Sequence, residues 1–178
     1  DGTDPEKDPD VVALRRAARQ KGCKLVVSLK WDFAGSWGRR EAVPVPRPGS
    51  ERERTLLECA TRYLESVGAH VDVVVLGNEP MWETRDEDVR VAEPPIVDFT
   101  RAVKDQLVEH YGGDPHFLAG AFNRLYDDVV REQQYPEFYR RTLELVRTDD
   151  DVDGVDLHVH FDQFAEAEEM VATVREDL

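Results

Sequence analysis

Four short apolar runs, each followed by a helix-patterned segment, constrain what this chain can fold into more than any other feature. The runs cover residues 24–29, 71–76, 116–121 and 154–161, and the second is almost entirely valine. Such β-branched runs bounded by glycine and polar residues predict buried strands. The intervening segments predict helices over 9–21, 51–67, 96–111, 136–147 and 164–176. Pro9 stands at the start of the first helix and Gly22 follows its end. In the second, Leu56, Leu57, Ala60, Tyr63 and Leu64 recur at helical spacing and Gly68 closes the turn.

The resulting order, αβαβαβαβα, predicts a parallel sheet joined by right-handed crossovers. Parallel strands that read apolar on both faces need cover on both, either in an open doubly wound sheet or in a barrel. No Gly-x-Gly-x-x-Gly follows any strand, which argues against a dinucleotide-binding sheet. Long segments rich in Pro, Gly, Trp and charge (30–50 and 78–95) follow the first two strands instead. Segments in that position build the active sites of (β/α)8 barrels. The expected fold is therefore a partial (β/α)8 TIM barrel, a single truncated domain over 1–178. Four strands stand where a complete barrel has eight and about 250 residues.

The charge of −15, from 38 acidic and 23 basic residues, gives a surface that repels phosphates, so a nucleic-acid partner is not expected. Only five of the basic residues are lysine; the other 18 are arginine. That balance fits either work in high salt or a GC-rich coding sequence. No apolar run reaches the roughly 18 to 20 residues that span a bilayer, so no membrane partner is expected. No signal peptide is visible, but the chain opens on Asp1 rather than Met, so the compartment stays open, export included. Oligomeric state is likewise open. Two cysteines, Cys23 and Cys59, make no disulfide framework or metal site and read as small buried hydrophobes.

The sharpest chemical feature is Gly77-Asn78-Glu79-Pro80 at the end of the valine run. Pro80 cannot continue the ladder, so Glu79 sits at a strand's C-terminal tip, where parallel α/β proteins bind ligands. Asn78 can both donate and accept, which suits a hydroxyl-rich ligand. Trp31, Trp37 and Trp82 fall at or beyond strand ends, and flat aromatic faces suit sugar rings. Lys30 and Asp32 flank Trp31; one of them points into the pocket, or the two pair with each other. Glu83, Asp86, Glu87 and Asp88 read as solvated charge, and Asn123 and Arg124 are remoter candidates for the same mouth. Asp156, His158 and His160 share one face of the fourth strand, while Val155, Leu157, Val159 and Phe161 face the helices.

Val75-Leu-Gly-Asn-Glu-Pro80 resembles the end of the fourth strand in clan A glycoside hydrolases, whose Asn-Glu pair carries the general acid/base. The segment 28–33 is similar to the third strand of those barrels and 156–160 to the sixth. The four strands would then correspond to about the third to the sixth. The resemblance implies a retaining glycoside hydrolase, with no cofactor and a carbohydrate substrate. Glu79 would be the catalytic acid/base, and Asn78 would bind the sugar's 2-hydroxyl. Trp31, Asp32, Trp82, His158 and His160 would be further substrate-binding residues. It also implies a nucleophilic carboxylate on a seventh strand, beyond Leu178. Two rival readings stand beside it: a carbohydrate-binding barrel without catalysis, and a metal-dependent barrel hydrolase using His158 and His160.

Overall fold

The computed structural model describes residues 9–35, 41–68, 71–123, 134–158 and 164–177. They form α1 (Pro9–Lys21), β1 (Val26–Ser28), α2 (Glu51–Val67), β2 (Val73–Val75), α3 (Pro80–Glu83) and α4 (Asp86–Val89). There follow α5 (Pro95–His110), β3 (His116–Asn123), α6 (Pro136–Thr148), β4 (Gly154–His158) and α7 (Phe164–Asp177). The expected order holds, with helix bounds within one residue of expectation.

The strands form one parallel sheet in the order β1-β2-β3-β4. Strand order equals chain order, so each crossover steps the same way. Right-handed connections then lay the long helices on a single face. A layer with α1 against α2, α2 against α5 and α5 against α6 agrees with this. Alternate strand residues show the consequence. Leu25, Val27 and Leu29 are buried beneath the helices, whereas Val26 on the other face is 59% exposed. Val27, Val74 and Phe117 stand side by side in register and point into the helix layer. Leu64, Leu76, Phe99, Val103, Leu107, Phe122 and Leu145 complete a core at 0–1% exposure. Each such side chain contributes about 1.5–3 kcal/mol on burial.

Local signals explain the element ends. Ser50 caps α2 by accepting from the Glu53 amide at 3.2 Å, and the Glu53 carboxylate accepts from the Gly49 amide. Pro95 opens α5, and its buried Lys104 bridges Asp105 (2.6 Å) to Asp149 (2.9 Å) beyond α6. Three details depart from expectation. The third run continues two residues past its expected end to Asn123 and forms the longest of the described strands, eight residues with a register shift between Ala119 and Phe122. The segment after β2 holds two short helices, α3 and α4. Cys23 and Cys59 are both exposed, Cys23 in the connection between α1 and β1 and Cys59 on the solvent side of α2. Among the described residues no helix is long and apolar enough to cross a membrane.

Candidate active site

The turn after β2 is built by its sequence. Gly77 adopts φ +142°, a conformation that side-chain-bearing residues rarely take. Pro80 then starts α3 at its first turn, where a missing N–H costs nothing. Glu79 occupies the N-cap position with φ −129° and ψ 73°, yet its side chain caps nothing. The carboxylate is turned instead toward β4.

There it meets His158. The imidazole Nδ1 lies 2.9 Å from Glu79 Oε1, and Nε2 lies 3.4 Å from Asp156 Oδ2. Asp156 and His158 lie on the strand face opposite Val155 and Leu157, which pack on the core. The expected alternation in β4 therefore holds as far as His158. The three side chains are half-buried, at 24% for Glu79, 31% for His158 and 28% for Asp156. The register shift in β3 brings His158 opposite Asn123, level with the tip of β2. An imidazole with both nitrogens protonated can donate to both carboxylates at once; a neutral ring can donate to one.

Asn78, half-buried, donates its Nδ2 to Glu83 Oε1 at 2.8 Å. Glu83 is not solvated charge. It is 2% exposed, and the same Oε1 meets Lys30 Nζ at 2.7 Å. Lys30 thus reaches Glu83 across the mouth of the sheet. Main-chain bonds close the same corner, with the Ala34 amide donating to the Glu83 carbonyl and the Glu83 amide to the Glu79 carbonyl. Helix α3 is what makes this possible: one turn carries the chain back over the strand end, which a loop reading of 78–95 does not anticipate.

The aromatic residues divide. Trp31 stands edge-on to Phe99, centroids 5.2 Å apart at 83°, and so belongs to the core side of the sheet. Its Nε1 is buried without a hydrogen-bond partner among the described residues. Trp82 is 50% exposed and borders a pocket of about 600 Å³ with Thr84, Arg85, Arg90 and Tyr135. Arg90 lies 4.5 Å over the Tyr135 ring and donates to its hydroxyl at 2.7 Å. Asp32 is half-buried in the segment after β1. Trp37, Arg124 and His160 lie outside the described residues, as does the Asn123 side chain. Among the described residues no three His, Cys, Asp or Glu side chains are arranged to hold a metal ion.

Compared with known proteins, the chain matches no protein family, no curated protein and no solved structure. The functional reading therefore rests on the site itself.

Proposed function

We propose that the chain is part of a (β/α)8-barrel glycoside hydrolase of the retaining kind, with Glu79 as general acid/base. The observation that carries the reading is the meeting of Glu79 and His158. A carboxylate from the tip of β2 and an imidazole from β4 converge at one end of a parallel sheet, with Asn78 beside them. That end is where barrel enzymes do their chemistry. The barrel itself is supported by winding: four parallel strands in chain order, with the long helices among the described residues layered over one face and Val26 and Ser28 exposed on the other.

Glu79 must present a proton to the leaving glycosidic oxygen and then remove one from water. Among the described residues Oε1 is taken by His158, so Oε2 is the oxygen turned to the substrate. His158 holds the carboxylate in place through both steps. Asp156 is not the second catalytic carboxylate, because the His158 ring stands between it and Glu79. On this reading the nucleophile comes from a strand beyond β4. The half-exposed Trp82, next in line after Glu79, Pro80 and Met81, offers a flat face to the leaving group's side of the mouth.

Glu79→Gln tests the reading. In the full-length protein it should lower the turnover of aryl β-glycosides and β-linked oligosaccharides by about 10²–10⁴-fold, with thermal stability retained. Hydrolysis surviving at near wild-type rate would remove Glu79 from the acid/base role. Sugar binding without hydrolysis in the wild type would identify a binding barrel instead.

A further inference from the structure

The buried Glu83 is not accounted for by acid/base chemistry, and it lies next to the residue that would read the sugar. A carboxylate at 2% exposure needs donors, and it has two on a single oxygen: Lys30 Nζ at 2.7 Å and Asn78 Nδ2 at 2.8 Å. An ionised carboxylate only accepts, so the end of the Asn78 side chain that faces it must be the amide NH2. The carbonyl Oδ1 is thereby turned away from Glu83, and it has no hydrogen-bond partner among the described residues. The main chain fixes the same relation, since the Glu83 amide donates to Glu79 and its carbonyl accepts from Ala34.

We propose that Glu83, held by Lys30, is a positioning residue that locks the Asn78 amide with Nδ2 inward and Oδ1 toward the ligand. Asn78 then recognises a sugar hydroxyl as an acceptor. This rests on the glycoside reading for its ligand, but the lock itself is a property of three side chains and is tested without any ligand. Replacing Glu83 by Leu removes the lock, because Asn78 Nδ2 then faces no acceptor, whereas in a Gln the Lys30 ammonium would hold the amide oxygen in the same place. The Asn78 amide can then turn over, and the hydroxyl meets a donor where it had an acceptor.

The first measurement is side-chain amide NMR of Asn78 in the wild-type chain, its signals assigned by their loss in Asn78→Asp. One Nδ2 proton should exchange at least about tenfold more slowly than in an exposed asparagine. Equal, unprotected exchange of both protons overturns the proposal, whether or not any variant folds. In Glu83→Leu the protection should disappear; its persistence overturns the proposal. The second measurement uses the full-length protein with p-nitrophenyl β-D-glucopyranoside and β-D-xylopyranoside and their 2-deoxy counterparts. Glu83→Leu should lower kcat/KM on the parent sugars by about 10–100-fold, as should Asn78→Ala, and the two together should cost no more than the worse alone. On the 2-deoxy substrates Glu83→Leu should change little. An equal loss on both series would mean a merely structural role. No wild-type hydrolysis of any glycoside would count against the enzyme reading, while the NMR result would still decide whether Glu83 holds Asn78.

Discussion

The two faces of the sheet are made from alternate residues of the same four strands, yet they follow different rules. Beneath the helices, Val74, Leu76 and Phe122 are fully buried and interchangeable in kind; what matters there is volume. On the open face, Val26 and Ser28 are exposed, and Asp156 and His158 are half-buried with specific partners. Geometry and polarity matter there, and volume counts for less. One face stabilises the fold, and the other carries the chemistry proposed for it. Changes on the helix side should therefore appear in stability, and changes on the open side in activity.

The largest departure from wild-type stability is expected on the helix side. Phe99 is 1% exposed and packs edge-on against both Trp31 and Phe33. Phe99→Ala should cost about 3–5 kcal/mol in urea unfolding, the sum of lost transfer energy and a residual cavity. A loss below about 1 kcal/mol would mean that this face is not the core.

A smaller effect comes from titration at the helix layer's edge. Burial, and then the Asp177 carboxylate that accepts its proton at 2.8 Å, hold the Tyr139 hydroxyl well above the usual tyrosine range. Burial also raises Tyr111, whose hydroxyl donates to the Gly68 carbonyl. Burial works to lower Lys104, but Asp105 and Asp149 outweigh it, so its ammonium is held above its ordinary value. All three groups release their protons more readily in the unfolded chain. Their contributions are intact below about pH 10 and are lost as pH rises through the folded-state values. The melting temperature should be level from pH 7 to about 9.5 and fall above 10, less steeply in Tyr139→Phe. An equally steep fall in that variant would remove Tyr139 from the account.

The helix side was also the legible side. Periodicity placed the five long helices within a residue, because amphipathic spacing, Pro starts and Gly stops are local signals. Val155 and Leu157 were read correctly as core-facing from alternation alone. The strand tip at Glu79 was legible too, since Pro80 ends a ladder wherever it occurs. What the sequence hid is long-range. Glu83 sits in an acid-rich stretch with Asp86, Glu87 and Asp88, and nothing local distinguishes it from them. Only the turn of α3 buries it against Lys30, 53 positions earlier in the chain. Trp31 was misleading for the same reason: its place after a strand suggested the mouth, but its ring edge meets Phe99 of α5. Gly120 breaks the apolar pattern of the third run but does not interrupt β3, and a Cβ there would meet Pro80 at 3.5 Å, an ordinary contact.

The smallest effect is the one that bears most on the proposed barrel. Val26 is apolar, β-branched and 59% exposed on the open face, in register with the half-buried Val73. Val26→Thr keeps shape and β-propensity and adds one hydroxyl. On an exposed surface that change should stay within about 0.5 kcal/mol. On the inner wall of a closed barrel the hydroxyl would be buried without an assured partner, at about 1–3 kcal/mol. Urea unfolding of the variant should therefore show almost no change in the 178-residue chain and a clear loss in a longer protein that completes the sheet. Two small losses would break the comparison, because the open face would then remain a surface and could not be the wall of a barrel.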